Sequence, residues 1–167
     1  IYQHFIQLAS ASQLPIFMYN IPYRTGTNMD PDTVFRLANE FENIAGIKEA
    51  AGNFDQVLML LHGKPADFMV ISGEDSLALP LVLAGGAGVI SVMGQALPDF
   101  SEMIRLGLDQ KTGKAFDKFY HILPGIQLIF KEGNPAGIKA MLNHLGICKL
   151  FVRLPLVKAS PELQKKI

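Results

Sequence analysis

The sequence predicts an α/β fold built on a parallel sheet. Two observations carry that expectation. Short apolar runs alternate one for one with amphipathic stretches of helical period, the pattern of repeated βα units. The apolar runs are not interleaved with polar residues, as expected of strands covered on both faces.

The elements follow in order. "IYQHFIQLASASQLP" reads as the tail of a helix entering a loop at Pro15, and a start at Ile1 inside a helix implies a missing upstream portion. "PIFMY" at 15–19 is the first strand. "MDPDTVFRLANEF" is a helix with Asp30 as N-cap and Pro31 in its first turn, and Val34, Leu37, Ala38 and Phe41 recur at helical spacing. "IAGIK" at 44–48 is the second strand. "NFDQVLMLLHG" follows as a helix, capped by Asn53 and stopped by Gly63. "DFMVIS" at 67–72 and "GVISV" at 88–92 are strands three and four. Between them lies a helix over 75–86 with Pro80 near its start. From residue 98 on, only helical patterns remain: 98–109, 112–132 with a break at Pro124-Gly125, 134–145, and a short tail after Ser160.

Two architectures accommodate this order, a doubly wound sheet and a (β/α)8 barrel. A barrel needs about 250 residues, and four strands do not close one. With an upstream portion missing, residues 1–97 read as half a barrel. Residues 98–167 then supply its last helix and a helical appendage.

Composition narrows the function. Fifteen basic residues balance fifteen acidic ones, so no nucleic acid or anionic membrane partner is expected. No apolar run approaches the roughly 20 residues of a membrane span. A single cysteine, Cys148, excludes an intrachain disulfide and, with no visible secretory signal, points to the cytoplasm. His4, His62, His121 and His144 fit no metal-ligand spacing, and no metal site is expected. "GGAGVIS" at 85–91 precedes a strand, so it reads as a tight αβ connection and not a phosphate loop. "KTGK" at 111–114 reads as a solvated turn, and Met59, Phe116 and Phe119 as core.

In parallel α/β folds the site lies at the C-terminal ends of the strands. The residues there are Tyr19-Asn20, Lys48-Glu49, Ser72 to Asp75 and Ile90-Ser91. Lys48 is the one amine among them. By strand alternation it shares a face with Gly46 and Ile44, opposite Ala45 and Ile47. If the latter pair packs on helices, Lys48 points inward. Burial disfavours an ammonium, and a neutral amine attacks carbonyls to form a Schiff base. The bland alternative is a solvated Lys48 paired with Glu49. For Glu74 and Asp75 the choice is between a catalytic role and, for Asp75, the start of a helix whose dipole suits its charge.

"YNIPYRTG", "GIKEA", "ISGED" and "GGAGVIS" occur at successive strand ends, and "GNPAGIKAMLNHLGI" and "VRLPL" follow. This order closely resembles the dihydrodipicolinate synthase family of pyruvate-dependent class I aldolases. The resemblance covers the whole chain but only the latter part of a family member. It implies the second half of a TIM (β/α)8 barrel with a C-terminal helical region. It implies a lyase that condenses pyruvate with aspartate semialdehyde in lysine and diaminopimelate biosynthesis. Lys48 matches the lysine that forms the imine with pyruvate, and Tyr19 the proton-relaying tyrosine. Arg24 matches the arginine that engages the carboxylate of the aldehyde. Gly73, with Glu74 beside it, and Ile90 match segments that meet the substrates. No metal or organic cofactor is implied, and the usual assembly is a homotetramer. A sister aldolase of sialic acid or of a 2-keto-3-deoxy sugar acid shares the lysine and tyrosine, but Arg24 suits a short acidic aldehyde better than a polyol. An inactive half-barrel fragment is the reading from another class: the family's Gly-x-x-Gly-Glu segment and second relay tyrosine are absent from these residues.

Overall fold

Four strands, β1 (Ile16–Asn20), β2 (Ile44–Glu49), β3 (Met69–Ser72) and β4 (Gly88–Val89), form one parallel sheet. Their spatial order is β1-β2-β3-β4. Every strand therefore pairs with its neighbour in sequence. A doubly wound sheet reverses its order at a switch point, whereas a barrel does not. The sheet here follows the barrel rule. The computed structural model describes all 167 residues, which divide into two compact units, Ile1–Ile90 and Ser91–Ile167.

The first unit holds the sheet and its helices: α1 (Tyr2–Ala11), the single-turn α2 (Pro22–Thr25), α3 (Pro31–Glu40), α4 (Phe54–Gly63) and α5 (Ala78–Leu83). The caps explain where α3 and α4 begin. Asp30 accepts a hydrogen bond from Thr33 N, and Asn53 accepts one from Gln56 N, each satisfying a donor that the first turn leaves open. The helix expected over 75–86 is split: a 3-10 turn at Asp75–Leu77 leads into α5. Pro80 lies in the first turn of α5, where its missing N–H costs nothing. The "GGAG" stretch is a tight connection into β4, with Gly86 N donating to Leu81 O at 2.9 Å.

One sheet face is packed against helices. Met18, Ile47 and Val70, from three adjacent strands, join Val34 and Leu37 of α3, Val57 and Leu60 of α4, and Leu81 of α5 in one core. Fully burying each such side chain contributes about 1.5–3 kcal/mol. The opposite face carries Phe17, Tyr19 and Met69, each more than a third exposed.

Alternation along β2 is broken once. Ile16 pairs with Ile44 but Phe17 pairs with Gly46, so one extra residue of β2 is accommodated there. Ile44 consequently lies in the helix-side core with Ile47, and not on the face of Lys48 as strict alternation predicts. Gly46 itself is closely covered. A Cβ at residue 46 would come within 2.5 Å of the Phe17 ring and of Met69 O.

The second unit is helical: a 3-10 turn at Met93–Gln95, then α6 (Pro98–Leu108), α7 (Thr112–Phe130), α8 (Ala136–His144) and α9 (Pro161–Gln164). α7 runs through Pro124 without the expected break. A proline inside a helix costs about 3 kcal/mol. Burial of Phe119, Ile122, Ile126 and Ile129 on either side of it offsets that cost. Ser160 caps α9 and is itself held by Glu132. No helix is long and apolar enough to cross a membrane. Phe119 is core as expected and Phe116 only partly so, whereas Met59 is exposed on α4.

Ile47 is wholly buried at the centre of the helix-side core. Ile47→Ala is expected to destabilise the protein by about 2–5 kcal/mol. Urea unfolding measures it, and a loss below about 1 kcal/mol would mean that the face is not packed as described.

Candidate active site

Tyr19 and Lys48 are Cα partners in the β1–β2 ladder. Both stand near the C-terminal ends of their strands and on the face away from the helices. The Lys48 Nζ lies 4.1 Å from the centroid of the Tyr19 ring, over its face. Such a contact contributes about 0.5–1 kcal/mol where water has access. Lys48 is half-buried, and Tyr19 is 44% exposed.

The third element of the cluster is Gly73, one residue beyond β3. A Cβ at this position would lie 3.0 Å from Lys48 Cε and 2.6 Å from Ala50 Cβ. A side chain here would clash with Ala50 and crowd the lysine stem. Gly73 N donates to Glu49 O at 2.7 Å, which ties the end of β3 to that of β2.

Glu74 follows, half-buried. Burial raises its carboxyl above the ordinary range, and the neighbouring charge of Asp75 adds to this. The Lys48 charge acts in the opposite sense. Glu74 thus senses the lysine electrostatically. Asp75 is buried at the start of the 3-10 turn. Ser72 Oγ accepts from Glu74 N at 3.1 Å and donates to Glu74 O at 2.8 Å, which shapes this strand end.

The remaining candidates lie further out. Arg24 is on α2, exposed, with its backbone N donating to Ile21 O. Ile90 follows β4, half-exposed, and its N donates to Ser72 O at 2.9 Å. Tyr19, Lys48, Gly73 and Glu74 form one cluster, while Arg24 and Ile90 follow the first and last strands of the sheet. No group of three or more His, Cys, Asp or Glu side chains is placed to hold a metal ion.

Glu49 is not paired with Lys48. It points to the opposite face and is 3% exposed. Its carboxylate accepts from Asn20 Nδ2 at 2.9 and 3.1 Å, from Gln56 Nε2 at 3.0 Å and from Ala51 N at 2.7 Å. Asn20 Oδ1 in turn accepts from Met29 N at 3.0 Å. Asn28 Oδ1 accepts from Asn20 Nδ2, and Asn28 Nδ2 donates to Gln56 Oε1 at 2.8 Å. Sequence reasoning passed over this network. The signal was available: Asn20 and Glu49 are polar residues in the alternation phase that faces the helices, where every polar group needs a partner.

Comparison with known proteins bears on what this cluster does. The dihydrodipicolinate synthetase family model matches residues 1–167. The 4-hydroxy-tetrahydrodipicolinate synthase of Flavobacterium psychrophilum is 49% identical over all of this chain and 57% of its own length. That of Azobacteroides pseudotrichonymphae is likewise 49% identical, with the same coverage. The solved dihydrodipicolinate synthase from Aquifex aeolicus superposes with a TM-score of 0.95 at 38% identity, over 99% of this chain and 57% of that one. The chloride-inhibited enzyme from Acinetobacter baumannii, solved in complex with pyruvate, gives a TM-score of 0.94 at 33% identity over the same shares. The four-stranded parallel sheet thus matches part of the TIM-barrel fold of these enzymes. The chain spans a little over half the length of the relatives it matches. With its whole length matched by the family model, the chain belongs to the dihydrodipicolinate synthetase family.

Proposed function

We propose that this chain carries the nucleophilic half of a 4-hydroxy-tetrahydrodipicolinate synthase, an aldolase that condenses pyruvate with aspartate semialdehyde. The observation that carries this reading is the placement of the Lys48 amine against Tyr19 at the ends of adjacent parallel strands. The four strands are the second half of the barrel, residues 1–97. The helical region that follows, 98–167, is the last barrel helix and the appendage. The enzyme works in the cytoplasm as a homo-oligomer, with a tetramer as its expected form.

Lys48 Nζ attacks the ketone carbon of pyruvate, and a C–N bond forms. The carbonyl oxygen must collect two protons before it leaves as water, so imine formation needs a proton shuttle. The Tyr19 hydroxyl supplies one. The protonated imine draws electrons from the adjacent methyl group, which loses a proton to give an enamine. The enamine carbon then attacks the aldehyde. No cofactor is required, because the imine is itself the electron sink. Arg24 presents a planar fork of donors to the carboxylate of the aldehyde. Gly73, Glu74 and Ile90 line the substrate side of the remaining strand ends. Gly73 keeps the path of the Lys48 stem open.

Three outcomes test these roles in the full-length enzyme that contains these residues. Lys48→Ala should abolish borohydride-trapped adduct with pyruvate and bring turnover below detection. An adduct surviving in that variant, located by peptide mass spectrometry elsewhere, would remove Lys48 from its role. Arg24→Ala should lower kcat/KM for the aldehyde by about tenfold to a hundredfold, the worth of charge-assisted hydrogen bonds, while pyruvate trapping persists. An unchanged kcat/KM for the aldehyde would exclude Arg24. The third outcome concerns Glu74. Because its folded-state carboxyl is raised, the folded protein holds that proton more tightly than the unfolded chain does. Its contribution to stability therefore declines as pH rises from the ordinary carboxylate range through the raised value. Glu74→Gln removes that decline, so its stability relative to the parent should improve as pH rises above the ordinary carboxylate range. A difference that stays flat with pH would contradict the burial of this carboxyl.

A further inference from the structure

The buried network around Glu49 touches, through the chain, three members of the cluster: Tyr19, Lys48 and Gly73. Asn20 is the residue after Tyr19, and its amide donates to both oxygens of Glu49. Glu49 is the residue after Lys48. Gly73 donates its own N–H to the Glu49 backbone carbonyl. Ala51 N and the Gln56 side chain of α4 complete the grip on the carboxylate.

The chemistry of this grip is one-sided. All three groups that meet the Glu49 carboxylate are donors: a side-chain amide on β1, a side-chain amide on α4 and a backbone N–H of the turn between β2 and α4. Only a group that accepts on both oxygens fits. The donors are uncharged, so the carboxylate is not consumed by an ion pair. No buried side-chain polar atom lacks a partner. A charge placed in such surroundings is costly unless its hydrogen bonds are complete, and a hydrophobic residue would serve the core as well or better. What the carboxylate adds is direction. Three donors on different elements converge on one point behind the strands.

We propose that Glu49 is a positioning residue for imine formation: its carboxylate locks the ends of β1 and β2 so that Tyr19 and Lys48 meet on the opposite face. It acts through Asn20 and the β2 backbone and touches neither substrate nor the reacting amine. The inference rests on the functional reading above.

The test is the rate of pyruvate adduct formation, by borohydride quench at timed intervals, in the full-length enzyme. Glu49→Gln keeps the shape but turns an N–H2 towards the converging donors. At saturating pyruvate its rate constant for adduct formation should fall at least about tenfold, the loss expected when a buried hydrogen bond becomes a clash of donors. The pyruvate concentration for half-maximal rate should change less than about threefold, since the substrate contacts remain. Val34→Ala, a cavity in the same core away from the strand ends, is the control for stability alone. It should lower Tm while keeping the parental adduct rate at a temperature where it is folded. Glu49→Asp keeps an acceptor-only group on a shorter arm and should recover part of the rate lost in Glu49→Gln. It also serves as the primary variant should Glu49→Gln not fold, and is then expected below the parent. A Glu49 variant that is folded by circular dichroism and forms adduct at the parental rate would overturn the proposal. So would an equal slowing in Val34→Ala, which would make the effect one of stability. If the parent itself gives no adduct, it is the aldolase reading that fails, and the two failures are thereby distinguished.

Discussion

Crossover helices cover a parallel sheet on one side, and in this unit that side belongs to Met18, Ile47 and Val70. Once those three are buried, the period of two along each strand assigns every neighbouring residue to the other side. Tyr19 follows Met18, and Lys48 follows Ile47. Their appearance together on the helix-free face is therefore a consequence of hydrophobic burial elsewhere. The attraction between ammonium and ring is worth a fraction of what the core supplies.

The same constraint sends Asn20 and Glu49 to the helix side, where polar groups are expensive. The protein meets that cost with a closed set of hydrogen bonds that also reaches α4 and the residues after α2. The two faces of the strand ends thus differ in kind. One is half-open and carries an amine and a phenol. The other is sealed and carries a carboxylate among amides.

Most of this was legible in the sequence. The four strands, the two side-chain caps of the first unit and the position of Lys48 at a strand end followed from apolar runs, cap residues and strand length. The choice between doubly wound sheet and barrel did not, because strand order is a tertiary property that periodicity along the chain does not carry. Ile44 was assigned to the wrong face because a one-residue irregularity leaves no mark in "IAGIK" itself. The break foreseen at Pro124 is absent because packing around α7 outweighs the local preference of proline. Glu49 was considered only as a salt-bridge partner for its neighbour. Adjacent strand residues point apart, and that rule alone argues against the pair.

The irregularity at Ile44 and Gly46 has a consequence for how this segment tolerates change in length. Between it and the end of β2 the chain is in a fixed phase, with chemistry on one parity and architecture on the other. A substitution at any of these positions perturbs one of the two. A single residue inserted between Ile47 and Lys48 would perturb both at once, since it exchanges the faces of the amine and the carboxylate. Upstream of Gly46 the extra residue already absorbs such a shift. Gain or loss of single codons should therefore be far more damaging after Gly46 than before it, a polarity written into one strand of six residues.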